Sequence, residues 1–121
     1  MTDVIFTARE LDVMAVLWDH GPATVAEVRA GLADELAYTT VLTILRTLER
    51  KRYVRHRAEG RVHRYRPMVR REEARVSHLH RLTQKLFSGS TELLLTHLVA
   101  RELSKEEIER LWVLLDGRRA G

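Results

Sequence analysis

Residues 37–51 read AYTTVLTILRTLERK. Val41, Ile44, Leu45 and Leu48 fall at i, i+3, i+4 and i+7, the spacing that lays one apolar stripe along a helix. Thr39, Leu42, Thr43, Arg46 and Arg50 fall at i, i+3, i+4, i+7 and i+11 and form a second stripe, opposite the first. A helix that only packs has no use for that second stripe.

The period then changes. Residues 53–67, YVRHRAEGRVHRYRP, alternate on either side of Ala58-Glu59-Gly60, where glycine is available for positive φ. This predicts a β-hairpin with mostly arginine and histidine outward, ended by Pro67. Upstream, Thr7-Ala8-Arg9-Glu10 is a capping box before a stripe of Leu11, Met14, Ala15, Leu17 and Trp18, which Gly21-Pro22 stops. Thr24-Val25-Ala26-Glu27 is a second box, opening a helix that presents Val25, Val28 and Leu32 and fades near Asp34-Glu35. Three helices and then a basic hairpin is the order of a winged helix-turn-helix, whose third helix enters a major groove. The expected fold class is mainly α with a small β-hairpin wing, and the first domain is expected over residues 1–69.

Residues 70–121 read as a helical second domain. Ala74, Val76, Leu79, Leu82, Leu86 and Phe87 stripe one long helix, and Ser88-Gly89-Ser90 breaks it. Residues 91–102 are almost wholly apolar. Ser104-Lys105-Glu106-Glu107 caps a last helix over 105–116 with Ile108, Leu111, Trp112, Leu114 and Leu115. So few residues bury too little core to stand alone, which predicts pairing with a second copy. Leu79, Leu82, Leu86, Leu94, Leu95, Leu98, Trp112 and Leu115 are the expected dimerisation residues.

Charge is focused. Residues 1–45 hold two basic and seven acidic side chains, net −5; residues 46–71 hold eleven and two, net +9; residues 72–121 hold eight of each. One short block therefore carries the positive excess, the footprint of a polyanion partner. With no cysteine in the chain, disulfides, thiolate metal sites and cysteine nucleophiles are excluded, and a reducing cytoplasmic compartment fits. No run of about 18 apolar residues or signal pattern is present, so no membrane association is expected. His78 and His80 stand two apart on a helix and cannot share a metal ion. No catalytic set, phosphate loop, cofactor site or metal site emerges.

The groove-facing stripe divides by chemistry. Thr39 and Thr40 sit at a helix N-terminus, where free N–H groups favour a phosphate. Thr43 suits a base edge or a thymine methyl, Leu42 thymine methyls, and Arg46 a bidentate contact with guanine. Arg50, Lys51 and Arg52 lie toward the backbone. In the wing, Arg61 and His63 are placed at phosphate or minor groove, with Arg55 or Arg57 as further candidates. The leading reading is a sequence-specific DNA-binding repressor. The rival is a winged-helix adaptor that meets an acidic protein, for which aromatic anchors would be expected instead.

FTARELDVMAVLWDHGPATVAEV, AYTTVLTILRTLERKRYV and GRVHRYRPMVRREE resemble the penicillinase repressor family, of the BlaI, MecI and CopY type, as do LFSGSTELLLTHLV and LSKEEIERLWVLLD in the C-terminal half. The resemblance implies a homodimeric winged-helix transcriptional repressor, paired through its C-terminal helices on inverted-repeat operator DNA with a TACA/TGTA core. It also implies a regulatory protease as a further partner in the beta-lactam-responsive members, which are cut at an Asn-Phe bond. His97-Leu98 stands at that place here. Copper-responsive members end in a cysteine-rich hook, which this chain lacks.

Overall fold

The structure, a computed structural model, describes residues 3–120. The elements run α1 (Ala8–His20), β1 (Ala23–Thr24), α2 (Val25–Gly31), α3 (Tyr38–Arg50), β2 (Val54–Glu59), β3 (Val62–Pro67), α4 (Arg71–Leu86), α5 (Thr91–Arg101) and α6 (Lys105–Ala120). They divide into two compact units, the first ending at His78 and the second beginning at Leu79.

The starts of α1 and α2 are written locally. Thr7 Oγ1 accepts from the Glu10 N–H at 3.2 Å, and Glu10 Oε1 accepts from the Thr7 N–H at 2.8 Å. Thr24 and Glu27 repeat the box at the head of α2. Each box satisfies two N–H groups that have no partner inside the helix. Gly21 ends α1 at φ 94°, donating to the Leu17 carbonyl at 2.8 Å. α2 stops at Gly31, short of the expected fade near Asp34-Glu35.

The core gathers what the stripes promised. Val13, Met14 and Leu17 of α1, Val28 of α2, and Val41, Leu45 and Leu48 of α3 are fully buried, with Val54 of β2 and Tyr65 of β3. Each such side chain contributes about 1.5–3 kcal/mol relative to exposure. Ile44 and Leu42 are half-buried and pack on the same cluster. Burial is the leading reason the Tyr65 hydroxyl titrates above its usual range, with the Glu49 carboxylate adding to it.

The hairpin is part of a three-stranded antiparallel sheet, order β1-β3-β2. Ala23 pairs with Tyr65 and Thr24 with Arg64, a two-residue strand the alternation pattern did not reveal. β2 and β3 extend further than expected, so Glu59 pairs with Val62 and the turn is Gly60-Arg61, with Gly60 at φ 61°. That is the glycine-first arrangement of a tight hairpin turn. Pairing of His56 with Tyr65 and Arg57 with Arg64 also corrects the expected faces. The histidines share the face of Val54 and Tyr65, and the arginines hold the other, because alternate residues point opposite ways.

α3 ends in a tight reversal. The Arg52 N–H donates to the Glu49 carbonyl and the Tyr53 N–H to the Leu48 carbonyl, both at 2.9 Å, with Arg52 at φ 69°. This is the Schellman arrangement, in which glycine is the usual residue at the left-handed position. A side chain there costs about 1–2 kcal/mol.

The first unit reaches to His78 rather than 69, and the reason is the segment before α1. The Val4 N–H donates to Ser77 Oγ at 2.9 Å and the Phe6 N–H to His78 Nε2 at 3.1 Å. Ala74, Val4 and Phe6 are buried in the same core. In the second unit, α4 ends at Leu86, Ser88 and Gly89 beyond it both take positive φ, and Ser90 Oγ caps α5 by accepting from the Leu93 N–H. Ser104 and Glu107 form a third capping box, at α6. Leu94 and Thr83 are buried, while most of the unit's other large apolar side chains are exposed.

Candidate nucleic-acid interface

α3 turns its second stripe outward. Thr39, Thr40, Thr43, Arg46 and Arg50 are exposed, whereas Leu42 is half-buried against the core rather than fully presented. The helix is preceded by Ala37, which supplies no side-chain cap, while α1, α2 and α6 have capping boxes and α5 its serine. Its first N–H groups therefore keep their capacity for an external acceptor, and the helix dipole favours an anion there. Thr43 Oγ1 donates to the Thr39 carbonyl at 2.9 Å. That uses its proton and leaves oxygen lone pairs free to accept from a base edge.

Lys51, expected toward the DNA backbone, also has a partner inside the fold. Its ammonium donates to Glu10 Oε2 at 2.8 Å, and Glu10 is nearly buried. Burial by itself raises the Glu10 pKa, but the hydrogen bonds from Lys51 and from the Thr7 N–H outweigh it and hold the carboxyl below its usual value. Lys51 thus serves the fold, because a buried carboxylate needs a partner.

The same bookkeeping sorts the eleven basic side chains of residues 46–71. Arg64 reaches Glu59 at 2.8 Å and Glu27 at 3.0 Å, fastening the wing to the head of α2. Both carboxylates help keep its guanidinium charged, Glu59 foremost. Arg70 pairs with Glu73, and Arg71 pairs with Asp19 and lies over the Trp18 ring. Four are therefore paired, counting Lys51. Among the described residues the other seven, Arg46, Arg50, Arg52, Arg55, Arg57, Arg61 and Arg66, make no hydrogen bond or ion pair through their side chains, and all are exposed.

The two acids of the block are both occupied. Glu59 holds Arg64. Glu49 on α3 accepts from the His56 backbone N–H at 3.0 Å and lies 2.7 Å from the His56 Nδ1. The His63 ring stacks on His56, centroids 4.1 Å apart and planes within 10°. This latch ties the wing to the end of α3, and both its histidines remain exposed. Arg55 stands directly across from Arg66, an arrangement that destabilises a free hairpin. Sequence reasoning missed the latch, the positive φ of Arg52, the free side chain of Arg66, and the bond from Lys51 to Glu10. The register of the hairpin could have signalled the Arg55–Arg66 pair.

Of the expected dimerisation residues, Leu79, Leu82, Leu86, Leu95, Trp112 and Leu115 are exposed, and Leu98 is half-buried. Leu94 is buried inside the second unit. Leu95, Trp112 and Leu115 come together, lining one apolar groove with Val99, Ile108 and Leu111. No group of three His, Cys, Asp or Glu side chains among the described residues could hold a metal ion. No helix among them is long and apolar enough to cross a membrane.

An exposed third helix followed by a basic wing defines a winged helix-turn-helix protein of the transcription-regulator kind. The chain belongs to the penicillinase repressor family, whose model matches residues 6–117. It is 38% identical over 96 residues to the transcriptional regulator BlaI of Mycobacterium tuberculosis, covering 76% of this chain and 70% of that one. It is 30% identical over 110 residues to the penicillinase repressor of Bacillus licheniformis, covering 88% and 86%. These relatives are regulators, not enzymes. Among solved structures it is similar to the monomeric form of Bacillus licheniformis BlaI in complex with the blaP half-operator, with a TM-score of 0.51 at 30% identity, over 60% of this chain and 90% of that one.

Proposed function

We propose that this chain is a sequence-specific DNA-binding transcriptional repressor that acts as a homodimer on an inverted-repeat operator. One observation carries the reading. Seven exposed arginines within residues 46–66 have no partner among the described residues, while both acids of the block are consumed internally. Such a surface is unfavourable alone and favourable against a polyanion. The stripe on α3 offers threonine and arginine, the chemistry of base edges and phosphates, and no aromatic anchor for a protein partner. The similar Bacillus licheniformis protein binds a half-operator.

The homodimer is supported by the apolar groove of α5 and α6 and the exposed leucines around it. A two-fold dimer presents its recognition helices to two symmetric half-sites, hence an inverted repeat. A regulatory protease remains part of the proposal. The His97–Leu98 bond lies inside α5, so cutting there requires that helix to open first.

The test is fluorescence anisotropy with a duplex taken from immediately upstream of this gene, at a series of salt concentrations. Log K is expected to fall by about 0.9 for each phosphate contact per unit of log salt. A flat dependence, or binding to acidic protein but not to the duplex, sinks the reading.

A further inference from the structure

We infer that Arg52 is a phosphate-binding residue of the DNA interface, kept at a backbone position that works against the stability of the fold. The inference rests on the proposed DNA-binding reading and adds a contact made from the junction of α3 and the wing.

The position is set by the chain reversal after α3. Two hydrogen bonds close that reversal, Arg52 N–H to Glu49 and Tyr53 N–H to Leu48, and they require φ 69° at residue 52. Side chains rarely adopt that conformation, because Cβ crowds the following carbonyl. Where the first unit needs positive φ elsewhere it uses glycine, at Gly21 and Gly60. An arginine at this one corner is therefore the residue to be explained.

Nothing inside the fold recovers the strain. The Arg52 side chain has no hydrogen bond or ion pair among the described residues, and it is exposed. Its neighbours in a surface recess are Glu49, Val54, Arg55 and Met68. Glu49, the one acid there, already serves His56. With Arg50 and Arg55 exposed nearby, a further cation adds repulsion to the free chain. Attraction to the C-terminal end of the α3 dipole is weak at an exposed site. The arginine becomes favourable when a polyanion lies against the corner, and a guanidinium forks onto phosphate oxygens there. Arg52 then supplies a backbone contact at the corner where Lys51 is drawn toward Glu10.

Arg52→Gly separates the two effects. Thermal melts of the full-length free protein should rise by about 4–8 °C as the strain is relieved. Binding should weaken several-fold, both to the upstream duplex and to a duplex of arbitrary sequence, because a phosphate contact carries no sequence information. The slope of log K on log salt should become shallower by about 0.9 per protomer. Arg52→Lys should keep affinity within about twofold and gain no thermal stability, since it retains charge and strain together. Unchanged affinity and salt slope in Arg52→Gly, beside a wild type that binds steeply with salt, overturns the inference alone. So does a lower melting temperature in Arg52→Gly, which would make the arginine a support of the fold. A wild type that binds neither duplex removes the DNA-binding reading, and this inference falls with it.

Discussion

The two compact units use the same apolar residues to different ends. In the first, a connected set of leucines and valines leaves the surface: Val13, Leu17, Val41, Leu45 and Leu48 are all 0% exposed, though Val62 and Val76 are not buried. In the second, Leu94 is the one buried apolar side chain among the described residues, while Leu86, Trp112, Val113 and Leu114 are each more than 60% exposed. Yet both units hold side-chain-capped helices, α1 and α2 in the first and α5 and α6 in the second. Capping and propensity are local and form a helix wherever their residues occur. Core formation needs a second surface. The first unit finds it within its own chain, and the proposed dimer provides it for the second.

The largest effect that could break this comparison comes from Leu95 in the apolar groove. Leu95→Asp should abolish dimers or unfold the second unit, because an unpaired charge at a buried interface costs about 3–5 kcal/mol. Sedimentation velocity that still shows an intact dimer would move the interface elsewhere. The counterpart in the first unit is Leu45→Ala, with an expected loss of about 2–5 kcal/mol. That loss should not depend on protein concentration in denaturant titrations, whereas the midpoint for the second unit should.

Much of this contrast was legible in residue spacing. The stripe of Val41, Leu45 and Leu48, the Thr7 and Thr24 boxes and the switch from period 3.6 to period 2 are all short-range, and they placed the helices and wing within a few residues. The misses are long-range. Lys51 meets Glu10 across 41 residues, and Val4 meets Ser77 across 73. Neither pairing leaves a periodic trace. The histidine face is a different case. Period two from the buried Val54 assigns His56 inward, and the basic composition of the strand obscured it.

On the DNA-facing side the next effect belongs to Arg46. Arg46→Ala should cost about 1–3 kcal/mol of operator affinity and relax preference at one position per half-site. Arg61→Ala, at the hairpin turn, should weaken all sequences alike. Selection from a randomised duplex pool checks both. An unchanged base preference for Arg46→Ala would remove α3 from the reading role while leaving the electrostatics in place.

Lys51→Ala sharpens the division between fold and interface. It should destabilise the first unit by about 1–2 kcal/mol, a figure discounted because the ammonium is partly exposed. DNA affinity and salt slope should not change. The pH dependence has a definite sign. Glu10 titrates below the ordinary 4.5 in the folded chain. Its contribution is therefore complete above that value and is lost as pH falls through it toward the folded pKa. Lys51→Ala removes a lowering influence, so the acid limb of the stability curve should flatten. A variant that lost DNA affinity at full stability would return Lys51 to the phosphate backbone.

The smallest expected effect compares two caps of the same chemistry. Thr7→Ala removes one hydrogen bond of the α1 box and leaves Glu10, which is buried, with fewer partners. About 1 kcal/mol of first-unit stability should be lost, since α1 carries Val13, Met14 and Leu17 into the core. Ser104→Ala removes the equivalent bond at α6, whose described side chains are mostly exposed. In a free monomer that helix end should fray with little effect on the melt of the first unit. In the proposed dimer, α6 lines the groove that the partner copy covers, so fraying is opposed by the interface and reappears as weaker association. Hydrogen exchange at Lys105, Glu106 and Glu107, read at low and high protein concentration, separates the cases. Protection that rises with concentration ties the cap to pairing. Protection that is high and independent of concentration means that α6 is already held within one chain, and the contrast between the two units would then be smaller than their exposed surfaces imply.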